Sequence, residues 1–295
     1  MSHRLRPLAL PLLVKPPSGL RVLTRLRVSD RDAVVLLALG LYLGGLANQD
    51  LALRCVQGTA GGDGRTERKR ALTKEASSRW AGAITRTSND QWERGLRNRR
   101  DQQLGLQRAI GSIERRLALP VGARGGHSQG YASQAERFQK QRRLQMLKGR
   151  LARVEARLGA GRVSVTRGGR ELARLRHNLE PAGLSEARWR ERWEAERLFI
   201  SADGEADKYL GNETIRWHPE QQWLEMKLPG RLAFLANRPH GRYRLDCQVS
   251  FRHRGSEVVS QARAGAIRYD ISYQPERGRW YLDDFGGCRL LRCRS

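Results

Sequence analysis

The fold is decided by the stretch at residues 133–158, which reads SQAERFQKQRRLQMLKGRLARVEARL. Apolar residues recur in it at alternating steps of three and four, namely Leu144, Leu147, Leu151, Val154 and Leu158. This spacing places all five on one stripe of an amphipathic helix. Ser133 suits an N-cap and the glycines of 159–161 end the pattern, so we predict a helix over 133–158.

A second apolar stripe precedes the first one. Leu106, Ile110, Ile113 and Leu117 fall at i, i+4, i+7 and i+11, which predicts a helix over 96–117. The connecting segment 118–130 contains Pro120 and four glycines, which favour a loop. Two stripes joined by a short loop bury their apolar sides against each other, so we expect an antiparallel helical hairpin.

The N-terminal part predicts three segments. Residues 1–18 are proline-rich and are expected to be a disordered lead-in. Residues 19–28 alternate loosely and predict a strand, and a helical lobe is expected over 29–160, opening with a helix over 29–54. The apolar run 33–47 is shorter than the ~20 residues of a membrane span and contains three glycines. We therefore expect a buried helix in a soluble, cytoplasmic protein.

The C-terminal part predicts a β domain over 161–282 with one helix, at 184–200. Alternating apolar residues predict strands at 222–228, 243–251, 266–273 and 279–282. Antiparallel strands with one apolar side suggest a small barrel or a curved sheet. The fold class is therefore α+β. Residues 283–295 break the pattern and are expected to be an aberrant basic tail.

The charge of the chain points to a polyanionic partner. There are 56 basic and 30 acidic residues, which gives a formal net charge of +26, and all but seven of the basic residues are Arg. So much positive charge is best tolerated beside nucleic acid. Arginine suits phosphate because its guanidinium donates hydrogen bonds in a planar fork, although a codon bias toward Arg also explains the Arg:Lys ratio.

The strongest candidate site is the segment 131–177, which has thirteen basic residues against three acidic ones. A merely solvated helix face usually mixes the two signs. The basic residues expected to contact nucleic acid are Arg137, Lys140, Arg142, Arg143, Lys148, Arg150, Arg153, Arg167, Arg170, Arg174 and Arg176. Arg79 and Trp80 are added because an Arg–Trp pair can combine a phosphate contact with base stacking, the alternative being core packing of the tryptophan.

Residues for catalysis or metal binding are not evident. Asp246 and Asp270 fall on predicted strands, and Asp283 and Asp284 follow another one. Acids on adjacent strands can hold Mg²⁺, but these lie among arginines, and surface salt bridges explain them better. The Cys288-x4-Cys293 pair lacks a second pair of zinc ligands. We therefore assign no catalytic residue, no metal and no cofactor.

Several long strings resemble one family. They are SSRWAGAITRTSNDQW at 77–92, YASQAERFQKQRRLQMLKGRL at 131–151, RGGRELARLRHNL at 167–179, ADGEADKYLGNETIR at 202–216 and GRWYL at 278–282. Together they resemble the TnpB-related (OrfB-type) proteins of insertion-sequence transposons. The resemblance covers about residues 20–282. It implies a first strand, an inserted helical recognition lobe, a wedge domain with an oligonucleotide-type barrel, and then a RuvC nuclease domain.

The chain departs from this family after GRWYL. No residue here matches a RuvC metal ligand, so the nuclease activity of an RNA-guided DNA nuclease is not carried over. We expect a truncated protein that binds structured RNA, and DNA, without cleaving it and without a membrane partner. Two alternatives stay open at this stage: a nuclease completed in trans by a separate chain with the RuvC domain, and a non-functional pseudogene product.

Overall fold

The computed structural model of the protein describes residues 20–58, 64–205, 208–264 and 267–286. The predicted lead-in 1–18 and most of the predicted tail lie outside these residues. The α-helices are α1 (Asp30–Gln57), α2 (Arg65–Glu75), α3 (Ser78–Leu117), α4 (Gln134–Gly159), α5 (Arg170–Leu175), α6 (Glu186–Ala195) and α7 (Gly255–Ala264).

Strands and short 3-10 turns make up the rest of the regular structure. The strands are β1 (Leu20–Leu26), β2 (Arg124–Gly125), β3 (Ser128–Gln129), β4 (Ser201–Ala202), β5 (Ile215–His218), β6 (Trp223–Lys227), β7 (Arg242–Arg244), β8 (Ile267–Gln274) and β9 (Arg279–Gly286). The 3-10 turns are Tyr209–Gly211, Gly230–Leu235, Pro239–Gly241 and Pro275–Arg277. The mixed content confirms the α+β class.

The chain forms two compact units. The first is discontinuous and contains residues 1–40 and 198–295, and the second, 41–197, interrupts it in sequence. Strand β1 therefore pairs with a strand from the other end of the chain, with Leu20 opposite Gly286 and Leu26 opposite Trp280. This pairing agrees with a helical unit inserted after an N-terminal strand.

The helical unit contains the predicted hairpin. Leu144 and Leu147 of α4 form a buried cluster with Ile110 of α3, and the partly buried residues against this cluster include Leu106, Ile113, Leu117 and Leu151. Polar contacts give the direction of the two helices. Glu155 of α4 accepts hydrogen bonds from Gln103 and Gln107, whereas Lys148 pairs with Glu114. Because rising positions on one helix meet falling positions on the other, the helices are antiparallel, as predicted.

The prediction of a barrel is wrong for the described residues. The first unit contains a four-stranded sheet of order β1-β9-β8-β4 and a three-stranded sheet of order β5-β6-β7, both antiparallel and neither closed. The predicted strand 243–251 leaves its ladder at Arg244 because later backbone groups bond to side chains. The Asp246 amide donates to Asp32, and the Val249 carbonyl accepts from the Trp217 indole.

Several predicted boundaries move. Helix α3 begins at Ser78 instead of 96, helix α6 covers only 186–195, and α7 was not predicted. Strand β9 runs four residues into the predicted tail, because β1 and β8 pair with it on both sides as far as Gly286. Residues 161–197 group with the helical unit instead of the β domain. Val163 is close to α3 there, since a side chain at Gly95 would lie 2.6 Å from it.

Helix α1 is long and apolar enough to cross a membrane, judged by length and composition alone. More than half of its most apolar window is buried, and Leu36, Leu39 and Leu43 are fully enclosed. Such burial is what a core helix of a soluble protein shows.

Candidate nucleic-acid interface

Helix α4 begins with a reciprocal cap. The Ser133 hydroxyl accepts a hydrogen bond from the Glu136 amide at 3.1 Å, and the Glu136 carboxylate accepts one from the Ala132 amide at 3.1 Å. This arrangement satisfies two amides that a helix start otherwise leaves unbonded. The register of every later α4 side chain is therefore set from a defined first turn.

Burial in α4 separates a packed side from a basic one. Leu144, Leu147 and Val154 are buried, and they lie on the side that meets α3. Five arginines are exposed on the opposite part of the helix surface, and we call them the basic face: Arg142, Arg143, Arg150, Arg153 and Arg157. Arg143, Arg150 and Arg157 recur every seven residues. At 1.5 Å per residue their row is roughly 21 Å long.

The remaining basic residues of α4 stabilise the hairpin. Arg137 donates to the Leu119 carbonyl at 2.9 Å, and Lys148 lies 2.7 Å from Glu114. Lys140 lies 5.8 Å from the ring of the buried Tyr131. No ion pair within the described part of the chain involves a member of the basic face. Of the predicted α4 residues, those on this face are therefore the best placed for an external anion.

Arg167 is not placed for nucleic-acid contact. It is 9% exposed, and Nε and Nη2 donate to the Arg197 carbonyl at 3.4 and 3.2 Å. Burial, together with the nearby Arg197 charge, lowers the pKa of Arg167 to about 10. Its charge is therefore used inside the protein, where it holds the 161–169 segment to the residue after α6.

The other predicted residues of this segment are on the surface. Arg170 and Arg174 lie on the short helix α5, and Arg176 follows it. All three are exposed, and the Arg176 guanidinium lies 5.9 Å from the Trp189 ring. They add positive charge to the same unit as the basic face.

Trp80 does not stack on a nucleobase, because its side chain is fully buried at the start of α3. Arg79 beside it is exposed. The tryptophans of three further Arg–Trp pairs in the sequence, Trp189, Trp217 and Trp280, are also buried. Core packing, the alternative interpretation of these pairs, therefore describes them.

The carboxylates considered for metal binding are separately engaged. Asp270 and Asp283 are directly opposite each other on β8 and β9, and Asp283 is buried. Arg268 donates to both oxygens of Asp270, at 3.1 and 2.9 Å. No group of three or more potential metal ligands occurs among residues 20–58, 64–205, 208–264 and 267–286. Cys288, Cys293 and the Asp284 side chain lie outside what the structure describes.

Helix α2 adds a basic surface that sequence patterns did not reveal. A shallow groove along it is lined by Arg65, Thr66, Lys69, Arg70 and Thr73. Arg68 of the same helix points inward, and its Nη1 lies 3.4 Å from the buried Asp50 carboxylate. The run of basic residues at 65–70 was the available signal, but sequence alone does not separate the inward arginine from the outward ones.

No family model, curated protein or solved structure matches this chain. The resemblance to TnpB-related proteins therefore stays a prediction that rests on the strings quoted above.

Proposed function

We propose that this protein binds nucleic acid, structured RNA in the first place and DNA as well, without cleaving it. The observation that carries the proposal is the basic face of α4, with five exposed arginines on a helix whose other side is packed. The proposal includes a cytoplasmic location and membership of the TnpB-related group. The preference for RNA comes from that resemblance.

The electrostatics support this function. Helix α4 carries eight basic residues and two acidic ones within a chain of net charge +26. Exposed like charges repel one another unless a polyanion lies beside them. The basic face is held on a helix with a capped start and a packed side, so few conformational degrees of freedom remain to be lost on binding.

The geometry supports contact with the phosphate backbone. Guanidinium groups in a row roughly 21 Å long can contact successive phosphates of a folded RNA or a DNA duplex. Such contacts fix register and affinity, and they carry little sequence information. We therefore expect binding that depends on shape and charge more than on sequence.

Absence of cleavage is proposed for a chemical reason. Two-metal hydrolysis needs carboxylates that converge on both ions. Asp270 is neutralised by Arg268, and the Asp246 amide is engaged by Asp32, so these two acids serve local structure.

The test is a binding comparison on the full chain. A fluorescent RNA hairpin and a DNA duplex are titrated with the wild type and with the variant Arg142→Glu/Arg150→Glu. We expect at least tenfold weaker binding of both ligands by this variant. The matched control, Arg188→Glu/Arg252→Glu, changes the charge equally at exposed positions outside the basic face and should bind like the wild type within about twofold. Equal weakening by both variants would mean that net charge alone determines binding.

A further inference from the structure

The three-stranded sheet β5-β6-β7 has two chemically different sides. One side is apolar and buried, and it includes Ile215, Leu224 and Met226. The cross-strand pairs of the other side combine aromatic and charged residues. Arg216 is opposite Glu225, Glu225 is opposite Arg244, and His218 is opposite Trp223. A sheet side with this composition is not completed by the core and requires a separate explanation.

Three aromatic rings adjoin one another on this side, and we call them the aromatic platform: Tyr209, His218 and Trp223. The His218 and Trp223 rings are stacked, with centroids 3.5 Å apart and planes 20° apart. The Tyr209 ring lies 5.8 Å from His218 at 57°. Tyr209 is 65% exposed although it is a large aromatic residue. The rings therefore extend from the sheet to solvent, with Tyr209 at the exposed end.

Guanidinium groups flank the aromatic platform. The Arg216 guanidinium lies 5.8 Å from the Tyr209 ring, and that of Arg244 lies 5.3 Å from the Trp223 ring. Glu225 is the one carboxylate in the cross-strand register of this side. Its Oε1 lies 3.4 Å from Arg216 and 3.2 Å from Arg242. Three guanidinium groups around one carboxylate leave an excess of positive charge beside the rings.

Polar atoms on this side also lack partners. The Nε2 atom of His218 and the Nε atom of Arg216 are buried without a hydrogen bond among the described residues. His218 is 8% exposed, and the nearest Glu225 oxygen is 3.9 Å from its Nε2. Burial lowers the pKa of His218, so its ring is neutral at pH 7 and adds no charge to the stack. Buried polar atoms without partners in a native protein often mark a site for a ligand.

We propose that this side of the sheet binds single-stranded nucleic acid, with a nucleobase stacked against Tyr209 and Trp223 and with Arg216, Arg242 and Arg244 at the phosphates. The proposal rests on the nucleic-acid-binding function and adds a second kind of contact to it. Stacking needs the flat surface of an unpaired base, which a duplex does not offer. The strand therefore has to be single or locally open here, unlike the ligand of the basic face.

The test uses two strands that differ only in their bases. One is a fluorescent 12-nucleotide strand of adenosines, and the other has the same backbone with abasic sites. We expect the wild type to prefer the first by about 5- to 150-fold, the factor equivalent to stacking one base. Tyr209→Ala should remove most of this preference, and Tyr209→Phe should keep it. Phe234→Ala, which removes an aromatic ring that is 80% exposed in a nearby turn of the same unit, should also keep it.

The outcomes separate this inference from the function on which it rests. Equal binding of the two strands by the wild type overturns the inference, as does an unchanged preference in Tyr209→Ala. In either case, weaker hairpin binding by Arg142→Glu/Arg150→Glu leaves the proposed function intact. Conversely, a preference that depends on Tyr209, found without any binding of the hairpin or the duplex, would support the aromatic platform alone. Trp223→Ala gives a second reading, and its folding is checked by circular dichroism.

Discussion

The Tyr243 hydroxyl donates a 2.9 Å hydrogen bond to the Asp32 carboxylate, although 211 positions separate the two residues. Asp32 lies in the first turn of α1 and forms a capping box with Ser29, and its Oδ2 also accepts from the Asp246 amide at 3.1 Å. One fully buried carboxylate thus joins the start of a helix to the end of a strand. Removing one of its donors should be costly.

Tyr243→Phe is therefore expected to lower the free energy of unfolding by about 1–3 kcal/mol, because a buried carboxylate oxygen loses a hydrogen bond. Urea denaturation measures this change. The control is Tyr209→Phe, which makes the same substitution at an exposed ring and should change stability by less than about 0.5 kcal/mol. Similar effects in the two variants would contradict the importance of the Asp32 contact.

Stability should also fall at alkaline pH. Burial and then the Asp32 charge raise the pKa of Cys247 from 9.0 to about 11, and burial and the Asp32 hydrogen bond raise that of Tyr243 above its usual 10.0. Both groups ionise first in the unfolded state, so their contributions are present below pH 9 and are lost as the pH rises beyond it. Urea unfolding at pH 8, 9, 10 and 11 should show this fall, and Cys247→Ala/Tyr243→Phe should flatten it. An equally steep profile in the double variant would refute the assignment.

A buried ion pair should stabilise the helical unit. Arg68 Nη1 lies 3.4 Å from Asp50, Nη2 donates to Asn89 at 2.7 Å, and the side chains of Arg68 and Asp50 are at most 3% exposed. Arg68→Ala leaves the Asp50 carboxyl uncompensated and should cost about 3–5 kcal/mol. Arg70→Ala, on the exposed side of the same helix, should be neutral within about 0.5 kcal/mol. Thermal melting of the two variants distinguishes the inward from the outward arginine.

The hairpin was predictable because its stabilising contacts are periodic in sequence. Leu144 and Leu147 recur at helical spacing, and their partner Ile110 lies on an equally regular stripe. The first half of α3 was missed for the opposite reason. It buries Thr85, Ser88 and Asn89 beside Trp80 and Trp92, so no apolar stripe distinguishes its buried side.

The candidate sites were predictable only in part. A run of basic residues identifies α4, but burial alone shows that Arg167 points into the protein while Arg150 and Arg157 do not. The aromatic platform joins a turn residue, Tyr209, to rings on two paired strands. Such a group depends on strand register and on the path of the preceding turn, and no local pattern encodes either.

Separate effects on stability and binding are expected from the two sides of α4. Leu147→Ala removes a buried contact with the hairpin cluster and should lower the unfolding free energy by about 2–5 kcal/mol. Arg142→Glu/Arg143→Glu changes exposed residues, so it should weaken RNA binding while the melting temperature stays within a few degrees. Both quantities are measured for both variants. If the arginine variant is the less stable one, the two sides are wrongly assigned.

The salt dependence of binding tests the basic face most directly. Each phosphate neutralised on a DNA duplex releases counterions and contributes about −0.9 to the slope of log K against log salt concentration. Five arginines in contact therefore predict a slope of about −4.5 from this surface. Arg142→Gln/Arg150→Gln removes two of them without introducing repulsion, so the slope should become shallower by about 1.8. Fluorescence anisotropy between 50 and 300 mM KCl measures it, with Arg188→Gln/Arg252→Gln as the control. A slope that is unchanged in the first variant, or reduced equally in both, would show that the phosphates lie elsewhere on the protein.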